Sequence, residues 1–217
     1  MSRTVVVVGG TSGIGEGVVE AFRNSGDQVF SIGRGNCDIT NQAEVDAYFS
    51  QFTNIDVLIN NAAINYCKNI ENISLMEWNK VLNTNLTSYF YIIKTAIPMM
   101  KRGAKIVNVS SIAGRSKSVV SGVHYTSSKA GVIGLTRQLS RELGPIGINI
   151  NCVCPSQTLT PMLKQSMTRQ QICELESNIP LRRLASVEDV VGPILFLCSE
   201  GASYIHGACI DVNGGQL

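Results

Sequence analysis

Val5-Val6-Val7-Val8, followed directly by Gly9-Gly10-Thr11-Ser12-Gly13-Ile14-Gly15, constrains this chain more than any other stretch. Four consecutive β-branched residues favour an extended backbone, and an unbroken apolar run suits a strand covered on both faces. From Ile14 to Asn24 the period becomes helical, with Val18, Ala21 and Phe22 on one side and Gly26 as the stop. Strand, glycine turn and helix in that order let the backbone approach a pyrophosphate, which then rests on N–H groups of the helix's first turn.

The same alternation continues downstream. Gln28 to Ile32 reads as a second strand, Asp56-Val57-Leu58-Ile59 as a third and Lys105-Ile106-Val107-Asn108-Val109 as a fourth. Helices are expected near Leu75–Met100 and Ser127–Leu143, and further strands at Gly147–Val153 and Ala208–Val212. Strand–helix–strand repetition predicts an α/β fold, a single-domain doubly wound parallel sheet. No linker, charge block or repeat divides residues 1–217, so one domain is expected. The stretch from Ser156 to Asn178 shows no clear period and reads as a lid, a binding loop or short helices.

With 217 residues, 44% of them hydrophobic and 16% charged, the chain has enough apolar side chains for one sizeable core. A net charge of +2 with interspersed signs gives no electrostatic case for nucleic acid or an acidic membrane surface. No run of about 18 apolar residues suggests a membrane span, and Met1-Ser2-Arg3-Thr4 leads straight into the first strand; the expected compartment is the cytoplasm. The seven cysteines are scattered, without a disulfide pattern. Cys152 and Cys154 fall on one face of a strand, and read better as buried small hydrophobes than as half a metal site.

Dinucleotide folds place a selector residue at the end of the second strand. Here Ser31-Ile32-Gly33-Arg34 offers no acid for a ribose 2′-hydroxyl, whereas Arg34 suits a 2′-phosphate. NADP(H) is therefore favoured over NAD(H). Further on, Tyr125-Thr126-Ser127-Ser128-Lys129 puts a phenol and an ammonium four residues apart, on one helix face. A phenol has a reference pKa of about 10, and a nearby ammonium favours its ionised form, so the pair suits proton exchange with an alcohol or carbonyl.

The glycine turn, Asn60-Asn61-Ala62-Ala63, the Asn85 region, Val109-Ser110-Ser111-Ile112-Ala113-Gly114, the Tyr/Lys pair and Asp211-Val212-Asn213-Gly214-Gly215 occur in an order that resembles the short-chain dehydrogenases/reductases. The likeness is to the single-domain branch that includes many 3-oxoacyl-carrier-protein reductases and sugar or polyol dehydrogenases. It implies hydride transfer between a nicotinamide cofactor and a secondary alcohol or ketone. By resemblance, Tyr125 is the general acid/base and Lys129 holds the nicotinamide ribose while lowering the phenol's pKa. Ser111, rather than its neighbour Ser110, binds the substrate oxygen, and Asn85 holds a water that relays protons from Lys129. The turn residues Gly9, Thr11, Ser12, Gly13, Ile14 and Gly15 take the pyrophosphate, Asn60 and Ala62 line the cofactor, and Asp38 meets the adenine edge. Pro155-Ser156 stands where the family has Pro-Gly beside the nicotinamide, with Thr158 and Thr160 available to its carboxamide. The resemblance also implies a small-molecule substrate and a homodimer or homotetramer built through the long helices.

The chain departs from the family pattern in several places. Val8 stands where a threonine is usual, and Ala63 where a glycine is common. One residue more than usual separates Ser111 from Tyr125. Only Gly35, Asn36 and Cys37 lie between Arg34 and Asp38, where relatives carry a helix and a strand; three residues cannot span both. A six-stranded sheet that has lost its outer strand and the helix after strand 2 is therefore predicted. His124 is expected at the substrate side or on a polar rim, His206 in a structural role, and Trp78 and Tyr89 in the core. A catalytically idle dinucleotide-binding sensor or scaffold is the rival reading, and retention of Asn85, Ser111, Tyr125 and Lys129 argues against it.

Overall fold

A computed structural model describes residues 2–161, 163 and 168–217. Among them, six strands form one parallel sheet: β1 (Thr4–Val8), β2 (Gln28–Ile32), β3 (Val57–Asn60), β4 (Lys105–Val109), β5 (Asn149–Pro155) and β6 (Cys209–Val212). Their order is β2-β1-β3-β4-β5-β6. The order reverses between β1 and β3, which opens a crevice at the carboxyl ends of those strands.

Alternation along the strands builds two cores. Val6, Val8, Leu58, Ile106 and Ile150 face one side, beneath α2 (Gln42–Phe49), α4 (Ser88–Ala96) and α5 (Val123–Leu143). Val5, Val7, Val57, Ile59, Val107 and Val153 face the other, against α1 (Gly13–Asn24) and a helix over Val187–Leu197. Both faces are thus buried, which is why the strands read as continuous apolar runs. Each such valine contributes on the order of 1.5–3 kcal/mol by leaving water.

The outer strand and helix expected to be missing after β2 are indeed absent from the described residues: the chain crosses from Ile32 to α2 through Gly33–Asn41. The carboxyl end of the free β2 edge is covered by a side chain instead. The Asn36 carboxamide accepts from Gly33 N–H at 2.9 Å and donates to the Ser31 carbonyl at 2.9 Å, the two contacts a neighbouring strand's peptide group would make.

Four elements differ from the sequence reading, the helix over Val187–Leu197, which was not expected, among them. α2 was not expected; Asn41 caps it, accepting from Ala43 and Glu44 N–H, while only Val45 and Phe49 of its residues are buried. Its apolar face is too narrow to stand out in the periodicity. The helix expected over residues 75–100 breaks into α3 (Leu75–Leu82), a π-turn at Asn83–Thr87, α4 and a 3₁₀ turn at Ile97–Met99 around Pro98. α5 begins at Val123, four residues before the expected start, so Tyr125 and Lys129 both lie on it. In the Ser156–Asn178 stretch, α6 spans Arg169–Ser177 behind a Thr168–Gln171 capping box; Met162, Lys164 and Met167 lie outside the described residues. The final helix, Val187–Leu197, is α7. No helix among the described residues is long and apolar enough to cross a membrane.

Candidate active site

An open cleft of about 2030 Å³ follows the crevice at the carboxyl ends of β1, β3, β4 and β5. Gly9, Thr11, Ser12, Gly13 and Ile14 line one wall. Ser12 occupies the N-cap of α1 without capping it through its side chain, so first-turn N–H groups are left for a ligand. Two glycines make this turn possible. A Cβ on Gly9, whose φ is +79°, would sit 2.6 Å from the Ala62 backbone, and one on Gly15 would be driven into the Gly9 carbonyl oxygen. Gly15 therefore serves helix–strand packing behind the wall rather than the wall itself. A phosphate-bearing ligand fits this donor set, with uncapped N–H groups and no side chain in the way.

At the β2 end the cleft is lined by Gly33, Arg34 and Asp38. Arg34 is exposed, and Asp38 is held by Thr40, whose N–H and hydroxyl both donate to Oδ1 and keep its carboxyl below the usual range. Ala62 and Ala63 line the floor, and Ala63 needs no left-handed backbone, so the loss of a glycine there is harmless. Asn60 is a correction to the expected lining. Its side chain is wholly buried and donates to Asn108 Oδ1 at 2.9 Å, and Asn108 in turn donates to Thr136 on α5. The strand's alternation turns Asn60 into the sheet and passes the cleft to Asn61, which donates to the Gly9 carbonyl at 2.9 Å. Asn61 was missed because two adjacent asparagines look alike in sequence. Pro155, Ser156, Thr158 and Thr160 form the opposite wall.

At its centre the cleft brings together Ser111, Tyr125 and Lys129. Ser111 follows β4 and caps the 3₁₀ turn Ile112–Gly114 by accepting from Ala113 N–H at 3.1 Å. Ser111 and Tyr125 both face the cleft there, the serine close enough to influence the phenol's acidity. Ser110 is committed elsewhere, donating to the Lys129 carbonyl at 2.7 Å. Tyr125 stands in the first turn of α5. Burial pushes its phenol above the ordinary value and the neighbouring Ser111 pulls against that. Lys129 Nζ donates to the Val109 carbonyl at 2.7 Å and lies 5.8 Å from the Tyr125 ring centroid. Lys129 is only 1% exposed, and burial lowers its own pKa to about 8.

Asn85 lies beneath this group, in the π-turn, where the widened helix marks a local distortion of a kind common at functional sites. Its carboxamide clasps the Ile64 backbone, accepting from N–H at 2.8 Å and donating to the carbonyl at 2.9 Å, and it donates to Ser128 Oγ at 3.2 Å. Fully buried and with both amide hydrogens engaged, this side chain braces the floor of the cleft. Ser128, which sequence reasoning missed, ties Asn85 to the Tyr125 carbonyl by donating to it at 2.7 Å. His124 faces neither substrate nor rim: it is fully buried, and its Nδ1 accepts from Tyr125 N–H at 2.9 Å. His206 is structural, as expected, bridging Ser140 and Ile150, and the buried Tyr89 hydroxyl donates to the Ala62 carbonyl at 3.2 Å. Trp78 is half-buried.

Residues 33–216 match the family described as Enoyl-(Acyl carrier protein) reductase. The 3-oxoacyl-acyl-carrier-protein reductase FabG of Aquifex aeolicus is 32% identical over 99% of this chain and 97% of its own length. The ligand-free aldohexose dehydrogenase of Thermoplasma acidophilum superposes with a TM-score of 0.92 at 31% identity, covering 99% of this chain and 94% of that one. The Brucella melitensis 3-ketoacyl-acyl-carrier-protein reductase complexed with NADH gives 0.89 at 26% identity, covering 99% and 98%. With these relatives spanning its whole length, the chain belongs to the short-chain dehydrogenase/reductase family and is one of its oxidoreductases.

Proposed function

We propose that this enzyme transfers a hydride between NADP(H) and a small secondary alcohol or ketone, with Tyr125 as general acid and base. The observation that carries the reading is the meeting of Ser111 and Tyr125 on the cleft wall, with Lys129 buried behind them. Two hydroxyls so placed can both reach one carbonyl oxygen. Ser111 donates a hydrogen bond that strengthens as charge develops there, and Tyr125 delivers its proton. A phenol whose pKa is raised by burial stays protonated at neutral pH, which suits the acid needed in reduction. Lys129 contributes positive charge beneath the ring and holds the ribose, while Asn85 and Ser128 keep the α5 backbone at Tyr125 in place. The nicotinamide, when bound, supplies the hydride.

The turn from Gly9 to Ile14 would hold the pyrophosphate, Ala62 and Asn61 the adjoining ribose region, and Thr158 and Thr160 the carboxamide side. Exposed Arg34 beside Gly33 supports NADP(H), since its guanidinium suits a phosphate and no carboxylate lies within Ser31–Arg34 to take a ribose 2′-hydroxyl. A second substrate reading has its own support: one relative is an aldohexose dehydrogenase and others are 3-oxoacyl-acyl-carrier-protein reductases. A homo-oligomer in the cytoplasm is part of the same proposal. The test is a panel of oxoacyl thioesters, ketones and aldoses followed at the nicotinamide absorbance with NADPH and NADH, using the parent and Tyr125→Phe. Turnover should fall by about 10²–10⁴-fold in the variant while cofactor binding by fluorescence titration persists. Parental turnover in Tyr125→Phe would refute the acid/base role, and a preference for NADH would refute the role of Arg34.

A further inference from the structure

Three thiols meet on the α5 side of the sheet, away from the cleft's hydroxyl pair. Cys152 and Cys154 are two residues apart on β5, so they leave the same face, and both are completely buried against Tyr89, Val132 and Ile133. Strand pairing sets Cys209 of β6 directly beside Cys152. The Cys152 thiol adjoins those of both Cys154 and Cys209, near enough for each to shift its acidity, and itself donates to the Val153 carbonyl at 3.5 Å. Cys209 differs from its neighbours in being half-buried on the last strand of the sheet, where the positive charge of Arg137 on α5 lies close by. Among the described residues no His, Cys, Asp or Glu cluster is arranged to hold a metal ion, and all three thiols are free.

We propose that Cys209 and Cys152 form a peroxide-oxidisable dithiol, Cys209 attacking and Cys152 resolving. The Cys209 thiolate attacks one oxygen of hydrogen peroxide; the O–O bond breaks, hydroxide leaves and takes a proton to become water, and Cys209 becomes a sulfenic acid. The Cys152 sulfur then attacks the Cys209 sulfur. The S–O bond breaks, the Cys152 proton leaves with the hydroxyl as a second water, and a disulfide remains. Two electrons pass from the sulfur pair to the peroxide.

Several features support the assignment of roles. The neighbouring Cys152 thiol, and then the charges of Arg137 and Arg115, favour the Cys209 thiolate against burial, and Cys209 is the less buried of the pair. Asp211, which could oppose this, is paired with Arg115 at 3.2 Å. Neighbouring strands run about 4.8 Å apart, inside the Cα separation of roughly 4.4–6.8 Å that a disulfide needs. Burial pushes Cys37 up and Cys198 up to about 12, which keeps both inert.

The experiment is peptide mapping by mass spectrometry of the intact protein after limiting hydrogen peroxide, with a sulfenic-acid trap and with thiol reductant as the reversal. A reducible Cys152–Cys209 linkage should form first, with Cys209 reacting about threefold faster than the exposed Cys67 and Cys173. In Cys152→Ser the trap should label Cys209, and in Cys209→Ser the linkage should vanish. Oxidation of Cys67 or Cys173 ahead of Cys209 would overturn the proposal. So would no oxidation of Cys209, or its passage to sulfinic acid while Cys152 stays free. The wild-type mapping decides even where a variant fails to fold.

Discussion

Lys129→Met should stabilise the ligand-free protein near neutral pH. An ammonium that is 1% exposed costs stability, and the drop from 10.5 to about 8 measures that cost. At about 1.4 kcal/mol per tenfold change in acidity, it corresponds to about 3 kcal/mol. Methionine fills a similar volume without charge, but leaves the Val109 carbonyl with only the weak 3.4 Å donation from Tyr89. Losing that buried hydrogen bond costs about 1–2 kcal/mol. The net expectation at pH 7 is a gain of about 1–2 kcal/mol, or a melting temperature higher by roughly 2–8 °C for a chain of this size.

The pH dependence separates this cause from simple repacking. Below about pH 8 both folded and unfolded chains carry the lysine proton. Above it the folded protein releases the proton, while the unfolded chain keeps it until about 10.5, so wild-type stability climbs with pH across that window. By pH 9.5 the wild type should recover about 2 kcal/mol relative to Lys129→Met, erasing or reversing the difference. Urea denaturation of both proteins at pH 7 and pH 9.5 tests this, since groups common to both cancel in the comparison. A difference that does not change with pH, or a variant less stable at both, would refute the claim that Lys129 is held charged at a cost.

Two further outcomes follow from the glycine turn and the trimmed sheet edge. Gly15→Ala should gain about 1 kcal/mol of helix propensity, but its methyl meets the Gly9 carbonyl oxygen; a net loss of about 1–2 kcal/mol and weaker dinucleotide binding are expected by urea denaturation and titration. Asn36→Ala should cost about 0.5–1.5 kcal/mol, because water replaces only part of its clasp on Ser31 and Gly33. Amide exchange at Gly33 should quicken in that variant, and unchanged protection there would contradict the strand-substitute role.

The strand–turn–helix of residues 5–24 was legible because burial on both faces and a turn forced by glycine leave direct traces in residue type. Tyr125, Lys129 and Ser111 were legible through their spacing and order. Other features depend on packing that no local pattern records. Whether Asn60 or Asn61 enters the cleft is decided by where β3 stops, since alternate residues take opposite faces. The π-turn places Asn85 against Ile64 by widening one turn, which a helical period cannot show. Cys209 meets Cys152 only through pairing of the two last strands, 57 residues apart in sequence.

The short crossing from Ile32 to α2 also bears on time as well as shape. Fewer side chains at the β2 end mean less surface for a dinucleotide to lose on departure, and in many enzymes departure of the spent cofactor sets the turnover rate. On the reading proposed here, this chain is expected to hold its cofactor briefly, its residence governed by the turn at Gly9–Ile14 and the wall at Pro155–Thr160 rather than by a grip on the far end.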